Sequence, residues 1–201
     1  MNLFENCRDQ ELADGLVWLR EPSEWCFDDE GLLIVPEVKT DFFRPYGGDS
    51  RDNASLLYKE VTGDFTAMTR VRADLVGFGD AGALTVRSSR TRWAKLCLER
   101  SPFGEAAAVS VVTRAWSDDA NGELLPDAEC YLRISREGNK FGMHYSLDGA
   151  MWRFVRAFAL ELPPAVMLGV HAQAPFEGGC RVQFAFLDLT PEPVKDFRSG
   201  E

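Results

Sequence analysis

Residues 92–100, "RWAKLCLER", combine a strand pattern with the side chains of a binding site. If the stretch is extended, Trp93, Lys95, Cys97 and Glu99 share one face, and Ala94, Leu96 and Leu98 share the other. An indole, an ammonium and a carboxylate on one strand face suit a polyhydroxylated ligand. The C–H face of a sugar packs on aromatics, and charged groups form strong hydrogen bonds to its hydroxyls. Four residues of strand span about 13 Å, so Lys95 and Glu99 cannot pair with each other. Each needs a partner from a neighbouring strand or from a ligand. The alternative is a solvated sheet face carrying weak cross-strand ion pairs.

Other polar residues interrupt apolar strands: Arg114 after "VSVVT", Arg133 in "YLRIS", His144 in "GMHYS", Arg156 in "WRFVR", and His171 and Gln173 in "VHAQA". If Arg114, Arg133, His144, Arg156 and Gln173 join Trp93, Lys95 and Glu99, the groove is rich in cations and donors. Such a groove would take a carbohydrate or an anionic small molecule. At least three of those five are expected to approach Lys95 and Glu99. For catalysis, Glu99 is the candidate general acid or base. Glycoside hydrolysis needs a second carboxylate about 5–10 Å away. No second carboxylate lies within the same strand, so it would have to come from Asp41, Asp80, Asp118 or Asp148. Cys97 reads more simply as a small buried hydrophobe than as a nucleophile.

The elements that must position these residues are strands. Alternating or β-branched segments occupy 64–75, 81–89, 92–100, 106–114, 129–136, 140–146, 151–158, 166–174 and 180–189, separated by turn residues. The pattern predicts an all-β chain of about ten to twelve strands, folded as one domain over 1–201. Residues 81–87 and 92–99 should form a hairpin with Leu96 and Leu98 in the core. In "SLDGAMW", Ser146 and Asp148 are expected to brace a turn closed by Gly149, with Trp152 beneath. In "TDFFR", Asp41 and Arg44 can reach a groove rim, while Phe42 and Phe43 pack inward. The best helical candidate is the acidic start, 3–13, and the tail "TPEPVKDFRSGE" is expected to be loosely held.

Bulk properties narrow the partners. With a net charge of −10, the chain is repelled by nucleic acid and anionic lipid, so neither is expected as a partner. No apolar run is long enough to cross a bilayer, and no secretory leader opens the sequence. Five dispersed cysteines without a C-x-x-C pair read as reduced thiols in a cytoplasmic protein. His144 and His171 have no ligands at zinc spacing, and no Gly-rich phosphate loop precedes a helix, so no metal or cofactor is expected.

The blocks "TDFFRPYGG" (40–48), "VTGDFTAMTRV" (61–71), "GDAGALTVRSSRTRWAKLCLE" (79–99), "VSVVTRAWSD" (109–118), "LRISREGNKFGMHYSLDGAMWRFVR" (132–156) and "GGCRVQFAFLDL" (178–189) follow one another in a recognisable order. Over about residues 16–190 this resembles domain-of-unknown-function family 1349, the regulation-of-enolase-like family. The resemblance implies a concanavalin A-like β-sandwich (jelly roll) of two antiparallel sheets, one of them concave, with a groove on the concave sheet. It implies no settled activity. Three functions therefore stand: a carbohydrate or small-molecule binding domain, a sugar-active enzyme using Glu99, and a regulatory scaffold for a protein partner.

Overall fold

The computed structural model describes residues 1–201 and contains strands, turns and no α-helix. In chain order the first strands are β1 (Leu16–Trp18), β2 (Glu24–Asp28), β3 (Gly31–Val35), β4 (Phe42–Phe43), β5 (Arg51–Asp52) and β6 (Ser55–Thr62). Then come β7 (Phe65–Ala73), β8 (Ala81–Ser89), β9 (Arg92–Arg100), β10 (Ala106–Arg114), β11 (Trp116–Leu124) and β12 (Glu129–Glu137). The last are β13 (Lys140–Ser146), β14 (Arg153–Ala159), β15 (Ala165–Gln173), β16 (Val182–Phe184) and β17 (Asp188–Thr190). The count exceeds ten to twelve because β1, β4, β5, β16 and β17 are only two or three residues long.

Two large antiparallel sheets carry the fold. One runs β1-β6-β15-β8-β9-β10-β11, and the other runs β14-β13-β12-β7-β16-β3-β2 with β17 also paired to β7. Their inner faces meet in one apolar cluster that includes Leu96 and Leu98 from β9, Leu84 and Val86 from β8, and Leu132, Ile134, Phe141 and Met143 from the opposite sheet. Strand alternation explains this: every second residue of a half-buried strand faces the core.

Turn chemistry fixes the register at the hairpins. Gly138, at φ 59°, joins β12 to β13, where a residue with a Cβ would be strained. Gly149, at φ 76°, follows Asp148, whose Oδ1 accepts from the Ala150 and Met151 amides and from Ser146 Oγ. The β8–β9 hairpin pairs Thr85 with Lys95 and Ala83 with Cys97, which fixes the side-chain rows of the site.

Two expectations about the termini are overturned. Residues 3–13 form turns and isolated bridges, not a helix, because Leu3 and Phe4 are drawn into the core and Asn6 and Asp9 adopt positive φ. The tail is held down on the outer face of the β12–β13 sheet region. The Val194 amide donates to Ser135 Oγ, Phe197 is buried, and Arg133 Nη2 donates to Gly200 O at 2.6 Å. No helix is long and apolar enough to cross a membrane.

Candidate functional site

The face of β9 turned away from the core carries Trp93, Lys95, Cys97 and Glu99. Neighbouring strands place Thr85 and Arg87 (β8), Val109 and Val111 (β10), and His171 and Gln173 (β15) on the same face. The segment 40–53 crosses over it. Phe42 is fully buried and lies 6.2 Å from the Trp93 ring, edge-on to His171 at 5.0 Å. Arg87 stands 4.8 Å over the Phe42 ring and pairs with Asp52 at 2.8 Å, so an ion pair and an aromatic contact pin the segment down.

Beneath that segment runs a buried polar chain. Lys95 Nζ donates to Asp41 Oδ1 at 3.0 Å and to Gln173 Oε1 at 2.7 Å. Gln173 Nε2 donates to Gly79 O at 2.9 Å, which leaves its Oε1 to accept from His171 Nε2 at 3.1 Å. His171 Nδ1 then accepts from the Thr85 hydroxyl at 2.7 Å. Burial, reinforced by the Lys95 charge, lowers the His171 pKa to about 3, so the ring is neutral and its tautomer is set by these two bonds. For Lys95, burial opposes the charge, but Asp41, with Cys97 and Glu99 beyond it, more than offsets that and holds the ammonium above the ordinary lysine value.

A pocket of about 290 Å³ opens where this chain ends. Lys95, Gln173, Asp41, Glu99 and Asp119 supply its polar lining, and Phe43, Phe78 and Phe176 supply apolar wall. Phe78 and Phe176 stack with ring centroids 5.6 Å apart. Burial raises the Glu99 pKa to about 7, with Lys95 pulling it down and Asp41 and Asp119 pushing it up. Cys97 is fully buried among Ala81, Ala83, Ala107 and Val109, and burial drives its thiol pKa far upward, which removes it as a nucleophile near neutral pH.

Of the residues singled out from sequence, Trp93, Lys95, Glu99, His171 and Gln173 share this face, and four others do not. Arg114 has the parity of Ala108 and Val112, so it points past the core edge and donates to Ala159 O. Arg156, on the edge strand β14, pairs with Asp118 at 2.9 Å. Arg133 and His144 pair across β12 and β13 on the outer face of the other sheet, beneath the tail. There, burial and the nearby Arg133 lower the His144 pKa to about 4. The expected convergence of three from the five therefore fails, with Gln173 alone reaching Lys95. Trp93 is in place but is 1% exposed under Phe42, so the aromatic surface facing the pocket is phenylalanine. Asp80 accepts from the Val76 and Gly77 amides and braces a loop, and Asp148 caps its own turn. Arg44 reaches Ala115 O and the Trp116 ring.

Asp119, Asp49, Arg51, Phe78 and Phe176 were not read from sequence. Asp119 gave no signal, because β11 is polar, almost wholly exposed and without alternation.

A model for a family described as protein of unknown function (DUF1349) matches residues 18–192. The chain belongs to this family. Regulation of enolase protein 1 from Saccharomyces cerevisiae is 30% identical over 186 residues, covering 91% of this chain and 92% of the yeast protein. A crystal structure of a functionally unknown protein from Saccharomyces cerevisiae superposes with a TM-score of 0.83 at 28% identity, covering 89% of this chain and 97% of that one. Two other solved structures share the fold at low identity. The GH43 BlXynB protein from Bacillus licheniformis has a TM-score of 0.74 at 14% identity over 94% of this chain, which spans only 40% of that protein. The carbohydrate binding module CBM66 from Bacillus subtilis has a TM-score of 0.56 at 15% identity, covering 92% and 96% of the two chains.

Proposed function

We propose that this protein is a single-domain, cytoplasmic binding protein for a small polyhydroxylated ligand, a sugar or sugar derivative, held in the pocket over β9. The observation that carries this reading is the convergence of Lys95, Gln173, Asp41, Glu99 and Asp119 on a pocket walled by three phenylalanines. Pockets that hold small molecules are mostly apolar with a few fixed polar groups, and at about 290 Å³ this one suits a single ring. The fold shared with a protein named as a carbohydrate binding module supports the same reading. Five free thiols support the cytoplasmic assignment.

A second reading, a sugar-active enzyme, is favoured by Glu99 itself. A carboxyl group with its pKa raised to about 7, standing near Asp41 and Asp119, has the properties of a general acid.

A thermal-shift panel of sugars and sugar derivatives tests both readings. A ligand at 100 times its Kd should stabilise the fold by about 2.7 kcal/mol. Glu99→Gln and Phe176→Ala should each weaken that stabilisation. A ligand whose effect survives both substitutions binds elsewhere, and the pocket reading then fails. Hydrolysis of a bound glycoside that is abolished by Glu99→Gln would establish the enzyme over the binding protein.

A further inference from the structure

The charge balance of the pocket narrows its ligand. Four carboxylates line it, from Asp41, Asp49, Glu99 and Asp119, against two cations, Lys95 and Arg51. Both cations are engaged. Lys95 is 1% exposed, pairs with Asp41 and also bonds Gln173, which leaves one N–H free. Arg51 donates to Pro175 O and lies 5.4 Å over the Phe176 ring, so it serves as part of the wall. Asp49, Glu99 and Asp119 belong to none of the protein's ion pairs.

Even with Glu99 partly protonated near pH 7, the carboxylates outnumber the two cations, and a positive ligand offsets that excess. A metal ion does not fit the arrangement, since no three His, Cys, Asp or Glu side chains are grouped to hold one. The carboxylates instead share the lining of one pocket with the stacked Phe78 and Phe176 rings. Phe176 already holds the Arg51 guanidinium, so the wall supplies apolar contact to the ligand's C–H face and the carboxylates supply the attraction for an organic cation. The spare N–H of Lys95 suits a hydroxyl beside the charge.

We infer that the ligand is a hydroxylated organic ammonium of single-ring size, an amino sugar with a free amine, and that uronic or phosphorylated sugars are excluded. This inference rests on the pocket reading above and reverses the anionic preference expected from sequence, because four of the five polar residues behind that expectation lie outside the pocket.

The test is direct titration near pH 7 with glucosamine, N-acetylglucosamine, glucose and glucuronate, followed by protein NMR with the intact chain. Glucosamine should bind at least about tenfold tighter than glucose or N-acetylglucosamine, as a charged hydrogen bond predicts, and glucuronate should bind weakest. Asp119→Asn and Asp49→Asn should each weaken glucosamine by about tenfold while leaving glucose within about twofold. Equal affinity for glucosamine and glucose, or a preference for glucuronate, overturns the ammonium inference and leaves the pocket reading standing. If no probe moves the pocket resonances, both fail.

Discussion

The outer faces of the two sheets carry similar residues to different ends. On the seven-stranded sheet, Lys95, His171 and Gln173 are buried under segment 40–53, and the face still leaves a pocket with unpaired carboxylates. On the eight-stranded sheet, Arg133 and His144 are buried under the chain's own tail. There His144 Nε2 bonds Phe197 O at 2.9 Å, Arg133 stacks 3.9 Å from Trp152, and Gly200 fills the remaining space. A buried polar residue in a strand therefore signals only that something covers it. On one face the chain's own tail supplies the cover, and on the other the covering segment borders a pocket rich in carboxylates.

Four measurements can break or sharpen that contrast. Lys95→Met should cost the most, about 4 kcal/mol in urea unfolding, because Asp41 is then left without its cation beneath segment 40–53. Adding Asp41→Asn should recover much of the loss, and a cost below about 1 kcal/mol would show that the buried chain does not organise this face. Phe197→Ala should cost about 3 kcal/mol or less, since the tail can lift away locally. Amide exchange over 192–201 should then quicken while ligand affinity is unchanged; a loss of affinity would mean that the two faces are coupled.

Glu99→Gln comes next, at about 2 kcal/mol and only on the alkaline side. The folded pKa of Glu99, about 7, exceeds its reference value of 4.5, so the stability it contributes is fully present below pH 4.5 and is lost as pH rises through 7. The variant should match the wild type in acid and exceed it above pH 7; a variant less stable at pH 8 would contradict the assigned burial. Arg156→Ala removes a partly exposed pair with Asp118 and should cost under about 1 kcal/mol, with no effect on ligand binding.

Much of the fold was legible because its strands alternate. The segments read at 81–89, 92–100, 106–114 and 140–146 coincide with β8, β9, β10 and β13. The site was legible along single strands, where parity fixes a face, and illegible between strands. Nothing local in "YLRIS" distinguishes Arg133 from Lys95, and the sheet that each joins is set by pairings between residues far apart in the chain. Phe78 and Phe176 were missed for a related reason: they stand on loops, where no periodicity reports direction. The tail was misjudged because its charged composition outweighed one residue, Phe197, whose burial holds it down.

The strand β11 has a consequence for how molecules of this protein meet. It ends the seven-stranded sheet, and part of its backbone is already engaged, the Ser117 amide donating to Arg44 O and Asp118 O accepting from Arg156, which shortens the free edge on which a second chain could extend the sheet. Charged side chains line it, Asp119 and the pairs Asp118–Arg156 and Glu123–Arg153, and they discourage such growth. That protection is a matter of ionisation. Because the Tyr145 hydroxyl and Arg153 hold the Glu123 carboxyl below the usual carboxylate range, this border keeps part of its charge even in mild acid.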